Sequence, residues 1–567
     1  MNCEERIYSN EYLDIIAEFA DSEAIANYFT DDYCYQNISN CFGFLCVRRS
    51  KIPTYNVPLY GYSYVPKLYT TLQENTEFDR FNLTESGIYA TQSAPYNLTG
   101  DGVVVGFIDT GIDYTNPVFR NPDGTTRILA LWDQTIRDGT PPQDILYGTE
   151  YSRDQINKAL RSNDPYSIVP SKDEDGHGTA VASVACGSKL DGGRTYIGAA
   201  PGAQIVAVKL KEAKPYLKEY YLIDESVKCY QETDILCALK YLDSYAITLK
   251  RPLVVCIALG SNMAGHTGDS KLAENIARIA EKKSRVVVTA AGNEGMAAHH
   301  YQGELSSKMP KDIIQINVEK KMKGFMVEFW GQTPYLFGVS VRSPQGEVTP
   351  TAVLRGKKSQ TVRYKRSGST VLFDALAIEQ NTGRLLVEIR IIDPGPGVWE
   401  VIVENQANMI GGQYDLYLPI TEFLSSKVTF SRPNPYSTIV NPAYCDQSIT
   451  VVAYDSRNMN VSDQSGRGYS LNGAIKPDLA VPGVDVPTIL GVRSGSSFAA
   501  ALAVGGIAQL LEWGVIQNND VMMDSGDVKS YLIRGAIRED NLEYPNPIWG
   551  YGLFNMKNVF AYLKSFV

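Results

Sequence analysis

The sequence lacks the features that mark secreted, membrane-spanning and nucleic-acid-binding proteins. No run of 18 or more apolar residues occurs, so we expect no transmembrane helix. The first residues, MNCEERIYSNEYLDIIAEFA, are acidic and contain no apolar core of the signal-peptide kind, so we expect an intracellular protein without a signal peptide. Lys and Arg number 53 against 63 Asp and Glu, and no basic stripe stands out, which argues against a nucleic-acid partner.

Metal-binding patterns are also missing from the sequence. The nine cysteines are spaced irregularly, and Cys34, Cys41 and Cys46 have no histidine pattern nearby that would complete a zinc site. The acidic turns DEDG and NPDG do not provide a full calcium-binding loop. Only four histidines occur, and the adjacent His299 and His300 are interpreted as surface residues. We therefore expect no cofactor and no metal, with a structural calcium ion left open.

The chain does contain a series of predominantly apolar segments separated by helical patterns. Such segments are typical of strands that are buried on both faces of a sheet. They are VVVGFID, AQIVAVKL, LVVCIAL, RVVVTAA and ITVVAYD, which begin at Val103, Ala203, Leu253, Arg285 and Ile449. Apolar residues spaced as at Ile235, Leu239 and Leu242 predict helices between them. The predicted fold class is α/β: a mainly parallel sheet, flanked by helices, with a site at the carboxyl ends of its strands.

A second pattern interrupts the first between residues 312 and 428. The segments LVEIRII, GVSVRSP and VWEVIVEN are short, and LVEIRII alternates apolar with charged residues. No convincing helical pattern separates these segments. We therefore predict an antiparallel β-sandwich inserted into the α/β domain.

Asp109 and His177 are the first two candidate site residues. Asp109 ends the first apolar segment in GFIDTGID, and His177 lies between two glycines in DEDGHGTAVAS. An Asp at the end of a strand is most often a cap or a turn former, and a single His is most often a satisfied or solvated side chain. Gly176 and Gly178 favour a tight turn that holds the imidazole in one orientation.

Asn293 and Ser497 complete the set. Asn293 follows a buried strand in TAAGNEG, and Ser497 opens a segment of small residues in GSSFAAA. The ordinary interpretations are a turn former and a helix start. Alternatively, the Asn293 amide donates to a developing oxyanion, which is worth roughly 3–4 kcal/mol. A helix that starts at Ser497 would add its free N–H groups to the same site.

The order Asp, His, Ser along the chain is that of subtilisin. The blocks DTGID, GHGTAVAS, AAGNEG, KPDLAVPGV and GSSFAAA resemble, in this order, the signature blocks of the subtilisin-like serine proteases. WGYGLFN resembles the block that closes their catalytic domain. The resemblance implies that Ser497 is the nucleophile, that His177 is the general base and later the general acid, and that Asp109 orients its ring. Asn293 and the backbone N–H of Ser497 would form the oxyanion hole.

The same resemblance implies a cleft that pairs with the backbone of an extended peptide. The residues expected to line it are Leu259, Gly260, Ala291 and Gly292. The usual Gly-Thr-Ser of the last block reads Gly495-Ser496-Ser497 here. Since Ser496 keeps a small hydroxyl, we expect this replacement to be tolerated.

The N-terminal part resembles a subtilase prodomain, because ATQSAPYNLTGDGVVVGFIDTG is similar to the junction between prodomain and mature enzyme. Residues 1–92 would then be an α+β prodomain that acts as an intramolecular chaperone and inhibitor. The segment expected in the cleft, with self-cleavage close to its end, consists of Tyr89, Ala90, Thr91, Gln92 and Ser93. The predicted organisation places the catalytic domain at 93–311 and 429–567 and the sandwich at 312–428. The alternative for residues 1–92 is another folded domain.

A prodomain without a signal peptide, together with a jelly-roll-like insertion before the Ser block, is similar to the Csp germination proteases of spore-forming clostridia. This resemblance implies a spore-associated endopeptidase whose protein substrate is a cortex-lytic proenzyme, activated by limited proteolysis. Two alternatives stay open. The protein is a general degradative subtilase, or it is a sensor whose retained prodomain keeps the cleft closed.

Overall fold

The central sheet of the molecule is built from the apolar segments. The computed structural model describes residues 2–19, 33–39, 42–52, 54–72, 74–75, 82–190, 196–353, 356–406 and 411–564. In spatial order the strands of the central sheet are Asn460–Val461, Ile449–Asp455, Arg285–Ala290, Leu253–Ile257, Val104–Asp109, Gln204–Lys209, Ile128–Asp133 and Thr149–Ser152; Leu479–Pro482 also pairs with Ile449–Asp455. The pairs are parallel except those of Asn460–Val461 and Thr149–Ser152. The α/β class and the mainly parallel sheet are thereby confirmed.

Helices cover both faces of this sheet. His177–Cys186 and Ser496–Leu511 share one buried cluster with the sheet, and Glu232–Leu249 and Lys271–Ala280 share a second cluster with its other face. The residues predicted to face the core from Glu232–Leu249 do so, because Ile235, Leu239 and Leu242 are all buried there. Further helices are Cys3–Tyr8, Val57–Tyr60, Asn82–Glu85, Ile88–Gln92, Arg153–Leu160, Pro215–Tyr220, Ser525–Gly535 and Met556–Lys564.

The helix that starts next to Ser497 runs through the middle of the core. Within the described part of the chain, Ser496–Ile516 is the one helical segment long and apolar enough to cross a membrane. However, 83% of its apolar window is buried inside the protein. Burial of this kind is typical of a core helix, so the segment is weak evidence for a membrane span.

Two antiparallel sheets enclose a separate core. In the sequence, their strands follow the loop that contains Asn293 and end at Val428–Phe430. One has the strand order His300–Glu304, Gln413–Tyr417, Gly324–Gly331, Leu385–Ile392, Thr370–Leu376 and Lys358–Arg363. The other has the order Ala352–Val353, Phe337–Arg342, Gly397–Asn405, Lys311–Val318 and Val428–Phe430. Trp399, Phe329 and Tyr414 are among the residues buried between them. This pair of sheets, called the sandwich below, already includes His300–Glu304, which precedes the predicted boundary at residue 312.

The N-terminal region forms a small antiparallel sheet, which is followed by short helical segments and then by the strand Leu68–Thr71. The sheet has the order Tyr12–Glu18, Phe42–Arg48, Tyr33–Ser39. It is fastened to the α/β unit by buried Asp14, whose Oδ1 lies 2.7 Å from Lys214 Nζ and whose Oδ2 accepts from Gln231 Nε2 at 2.7 Å. Two short sheets follow, with the orders Tyr230–Gln231, Leu68–Thr71, Leu259–Gly260 and Val486–Thr488, Gly491–Ser494, Glu74–Asn75.

Candidate active site

Asp109 and His177 are in direct contact. Asp109 ends the strand Val104–Asp109, and His177 begins the helix His177–Cys186. The His177 Nδ1 atom lies 2.7 Å from Asp109 Oδ1, and both side chains are almost fully buried. The close approach depends on Gly178, since a Cβ there would lie 2.2 Å from the carbonyl oxygen of Gly111. The tight glycine turn predicted around His177 is therefore present.

The environment of His177 favours its protonated form. Burial alone would lower the pKa of the imidazole, but the charge and hydrogen bond of Asp109, helped by Asp175 and Asp173, outweigh burial and raise it. The Nε2 atom is buried and has no hydrogen-bond partner among the described residues. With Nδ1 held by the carboxylate, Nε2 is the nitrogen that can take a proton.

Asp173 supports this turn and was not identified from the sequence. Its Oδ1 accepts from Thr110 Oγ1 at 2.7 Å and from the Gly176 N–H at 2.9 Å. Its Oδ2 accepts from the N–H and the hydroxyl of Thr179 at 2.8 and 2.6 Å. These four bonds occupy the Asp173 carboxylate of the DEDG turn with protein donors. The described residues contain no group of three or more His, Cys, Asp or Glu side chains placed to hold a metal ion.

Ser497 lies at the start of the helix Ser496–Leu511 and is fully buried. Its hydroxyl donates to the carbonyl oxygen of Leu72 at 2.7 Å and, at 3.2 Å, to that of Ala258. The helix start also brings the Phe498 ring to 6.0 Å, centre to centre, from the imidazole of His177. The hydroxyl is therefore next to a peptide carbonyl of its own chain.

Asn293 is held by Ser496, whose function the sequence did not reveal. The Asn293 Oδ1 atom accepts from the N–H of Ser496 at 3.2 Å and from its hydroxyl at 3.0 Å. The same hydroxyl accepts from the N–H of Gly292 at 3.1 Å. The Asn293 Nδ2 group is buried and has no partner in the part of the chain that the structure describes. This arrangement leaves an oriented amide donor, which is what an oxyanion hole requires.

The Leu72 carbonyl, which accepts the hydrogen bond from Ser497, belongs to an extended segment of the N-terminal region. Leu68–Thr71 lies between the strands Leu259–Gly260 and Tyr230–Gln231 and is antiparallel to both. On one side Thr71 is paired with Leu259 and Thr70 with Gly260. On the other side, Leu68–Thr71 is paired with Tyr230–Gln231. Leu72 follows this strand directly, which places its carbonyl oxygen 2.7 Å from the Ser497 hydroxyl.

Gly260 and Gly292 both lie close to Val440, and Gly260 also lies close to Leu72. A Cβ at Gly260 would lie 3.1 Å from Leu72 Cδ1 and 2.3 Å from Val440 Cγ2, and one at Gly292 would lie 2.5 Å from Val440 Cγ1. Ala291 is buried beside them, and its carbonyl accepts from the N–H of Val440 at 3.0 Å. Leu259 and Gly260 thus pair with this segment, and Ala291 and Gly292 lie beside Val440, which was not identified from the sequence.

The prediction that Tyr89–Gln92 lies in the cleft is wrong. Ile88–Gln92 is a helix, and Tyr89 is 57% exposed. Thr91 donates to Gln509 Oε1, and the Gln92 side chain donates to the carbonyls of Gly198 and Ala199. Ala90 and Ser93 belong to the same short helical stretch and its end. A helix cannot form the two-sided strand pairing that Leu68–Thr71 makes with Leu259–Gly260 and Tyr230–Gln231.

The N-terminal region is also paired with the protein after Leu72. The backbone of Glu74–Asn75 pairs with Gly491–Ser494, the strand directly before the candidate nucleophile. Gln73, which joins Leu72 to this strand, lies outside the described residues. The segment is therefore paired with the protein on both sides of the Leu72 carbonyl.

The interpretation of His299 and His300 as surface residues is also wrong, because both side chains are buried. His299 Nδ1 lies 2.5 Å from Glu294 Oε2, and His300 Nε2 lies 3.1 Å from Asp415 Oδ1. His300 also stacks on Tyr417, with ring centres 4.4 Å apart. Each histidine is paired with a carboxylate, which is how proteins retain such groups in the interior.

Two buried glutamates lie where the sandwich, the N-terminal region and the α/β unit meet. Glu328 and Glu388 are directly opposite each other on neighbouring strands. Glu328 accepts from the hydroxyl of Tyr62 at 2.9 and 3.0 Å, and Glu388 accepts from that of Tyr220 at 2.6 Å. Burial raises the pKa of Glu388 to about 7; burial and the charge of Glu388 raise that of Glu328 to about 8. Lys67, a nearby cation on the N-terminal region, has its own pKa lowered by burial.

This pair makes the stability of the molecule depend on pH. A carboxyl group whose folded pKa is raised stabilises the fold at acidic pH, and this stabilisation is lost as pH rises through the folded value. The loss should therefore extend from about pH 4.5 to about pH 8. We expect Glu328→Gln to have a higher melting temperature than its parent at pH 8 and a similar one at pH 5, measured by calorimetry with Ser497→Ala in both chains. Lys67 titrates in the opposite sense and is present in both, so equal pH slopes would contradict the prediction.

The comparisons with known proteins agree with this geometry. The profile of the subtilase family matches residues 100–345 and 426–552, well over half of the chain, and the chain belongs to that family. The solved structure of the CspB protease of Clostridium perfringens is similar to it, with 32% identity and a TM-score of 0.75. That match covers 85% of this chain and 99% of the CspB chain.

Curated relatives match over shorter stretches. Subtilisin from Bacillus sp. (strain TA39) is 25% identical over 218 residues, which is 38% of this chain and 39% of that protein. The subtilisin-like protease SBT3.3 of Arabidopsis thaliana is 30% identical over 218 residues, 35% of this chain and 26% of that protein. The chain thus matches less than half the length of these two relatives.

Proposed function

We propose that the protein is a serine endopeptidase that first cuts its own chain between Leu72 and Gln73. Ser497 attacks the Leu72 carbonyl carbon, and His177 takes the hydroxyl proton on Nε2 and then gives it to the leaving amine of Gln73, so that Leu72 remains as an ester on Ser497. A water molecule, with His177 again as the base, then hydrolyses this ester, which frees the Leu72 carboxylate and restores the Ser497 hydroxyl. Asp109 holds the imidazole in the tautomer that this transfer needs. Asn293 Nδ2 and the Ser497 N–H stabilise the oxyanion on the former carbonyl oxygen.

The observation that carries this proposal is the hydrogen bond from Ser497 Oγ to the Leu72 carbonyl oxygen at 2.7 Å. Strand pairing of Leu68–Thr71 on one side and of Glu74–Asn75 on the other presents this peptide to the hydroxyl as a bound substrate. Pairing through main-chain hydrogen bonds holds any extended peptide, and the apolar surroundings at Gly260, where Leu72 and Val440 both lie, favour an aliphatic residue at the position of Leu72.

The residues before the cut are then an intramolecular chaperone and inhibitor that ends at Leu72. After cleavage, this prodomain remains attached through the strand pairing and through the buried contacts of Asp14 with Lys214 and Gln231. Retention of the fragment in the cleft follows from these contacts.

The physiological substrate that we propose is another proenzyme, cut once in an exposed extended segment. The resemblance to the Csp germination proteases supports a cortex-lytic proenzyme as the substrate and a spore-associated location. The 32% identity to the CspB protease over 85% of this chain supports the same assignment. A general degradative enzyme is less well supported, because the described cleft is filled by the chain's own segment.

A second candidate function rests on that filled cleft. A protein whose prodomain never leaves would act as a sensor and not as a turnover enzyme. Both candidates are separated by incubating purified full-length protein, sequencing the new N-terminus, and labelling with a serine-directed phosphonate. The protease proposal expects a cut at Gln73 and label on Ser497. An uncut chain that ignores the phosphonate would overturn it and favour the sensor.

A further inference from the structure

The residue after Asn293 is buried in a cluster that ties both ends of the sandwich together. Glu294 is 3% exposed, although it belongs to the loop that carries the oxyanion donor. Its Oε2 atom lies 2.5 Å from His299 Nδ1. Its Oε1 atom accepts from the N–H of Thr421 at 3.1 Å and from the Thr421 hydroxyl at 2.9 Å. One carboxylate therefore contacts two segments more than 100 residues apart in the chain.

These two segments are the entrance and the exit of the sandwich. His299 directly precedes the strand His300–Glu304, and Thr421 follows the strand Gln413–Tyr417. The two strands are neighbours, with His300 opposite Tyr417. The N–H of Leu418 also donates to the carbonyl of His299 at 2.9 Å. Glu294 is thus fixed to the end of a rigid two-stranded unit.

The cluster also reaches the cleft strand. Asn262, two residues after Gly260, donates through Nδ2 to the carbonyl of Leu418 at 3.1 Å and approaches Glu294 Oε2 at 3.4 Å. Burial alone would raise the pKa of Glu294, but the charge and hydrogen bond of His299 and the bonds from Thr421 outweigh burial and lower it. The carboxylate is consequently ionised and holds its partners with charge-assisted bonds.

We infer that Glu294 is a positioning residue for Asn293, through which the sandwich fixes the oxyanion donor relative to the Leu72 carbonyl. Within the described part of the chain, the Asn293 side chain is hydrogen-bonded at Oδ1, where Ser496 donates twice, and not at Nδ2. The neighbouring carboxylate fixes the backbone on which this side chain is carried. An oxyanion donor must lie within a narrow range of its acceptor position, and a displacement of about 1 Å can reduce a rate by about 10²-fold.

Autoprocessing of the full-length chain offers a direct test. This test rests on the proposed function, and its substrate segment is already paired in the cleft, so the rate reports the chemical step without a binding step. We expect Glu294→Ala to slow the appearance of the fragment ending at Leu72 by about 10- to 100-fold. Glu294→Gln, which keeps an acceptor for Thr421, should slow the appearance of this fragment less than Glu294→Ala does. An unchanged rate in Glu294→Ala would overturn the inference.

The matched control is Asp415→Ala. Asp415 is also a buried sandwich carboxylate bonded to a histidine, His300, and to Arg384, but it does not contact the residue next to Asn293. We expect the Asp415→Ala variant to process itself at a rate within about twofold of the parent, since the removed carboxylate has no contact with the loop that contains Asn293. An equal slowing in both variants would mean general loosening of the sandwich and would also overturn the inference.

A second measurement does not depend on activity. Crystal structures of Ser497→Ala with and without Glu294→Ala should differ in the contact between Asn293 Oδ1 and the N–H of Ser496, which is 3.2 Å here. An Asn293 side chain that does not move would contradict its positioning by Glu294. If wild-type protein is never cut and never labelled, the proposed function fails, whereas this comparison still decides whether Glu294 positions Asn293.

Discussion

Ser497→Ala is expected to leave the full-length chain in one piece, with its N-terminal region still paired in the cleft. The hydroxyl of Ser497 lies 2.7 Å from the Leu72 carbonyl oxygen, and an alanine at this position removes the hydroxyl without disturbing the start of the helix. In subtilases, loss of the nucleophile reduces the rate by about 10⁶-fold. The measurement is the amount of fragment ending at Leu72 over time, by mass spectrometry, in wild type and variant.

The control for this variant is Ser494→Ala. Ser494 is buried only three residues earlier, and its hydroxyl accepts from the N–H of Asp485 at 2.8 Å. Ser494→Ala should therefore keep the cut, with some loss of stability. A cut at Leu72 that persists in purified Ser497→Ala would show that another group, or a contaminating protease, performs the reaction.

The parallel sheet and the order of the site residues could be predicted because they are local in sequence. Strands buried on both faces must be apolar throughout, so VVVGFID and ITVVAYD are recognisable without knowledge of their neighbours. The glycines around His177 likewise mark a turn that larger residues could not form. Here the local pattern and the tertiary structure impose the same requirement.

The occupant of the cleft could not be predicted in this way. Leu68–Thr71 has no special composition, and it is a strand only because two cleft strands pair with it. Tyr89–Gln92 is nearer to the start of the family match, but it folds as a helix against the α/β unit. Strand pairing with distant partners depends on tertiary placement, which propensity alone does not determine.

The supporting residues around the site were missed for a related reason. Asp173 and Glu294 are acidic and stand in loop-like sequence, where charged residues are ordinarily solvated. Asp173 is half-buried and Glu294 is buried, because donors from distant segments bind the two carboxylates: Thr110 for Asp173, and His299 with Thr421 for Glu294. The available signal was their position along the chain: Glu294 directly follows Asn293, and Asp173 opens the DEDG turn that leads into His177.

Asp109→Asn is expected to slow the cut at Leu72 by about 10⁴-fold while leaving the fold intact. The carboxylate of Asp109 accepts a hydrogen bond from the Nδ1–H group of His177, so Nε2 is free to receive the proton of Ser497. An amide placed there can donate to Nδ1, which moves the ring proton to Nε2 and removes the base. The raised pKa of His177 should also fall, because the charge and hydrogen bond of Asp109 are what offset its burial.

Asp173→Asn separates this effect from general damage to the His177 turn. Asp173 bonds to Thr110, Gly176 and Thr179 but not to the imidazole itself. Its loss should lower the melting temperature and slow the cut far less than Asp109→Asn does. Rates are compared from single-turnover processing, with calorimetry of the uncut chains as the measure of stability. Equal rate losses in the two variants would mean that Asp109 acts only by shaping the turn, whereas a much larger loss in Asp109→Asn assigns it the control of the His177 tautomer.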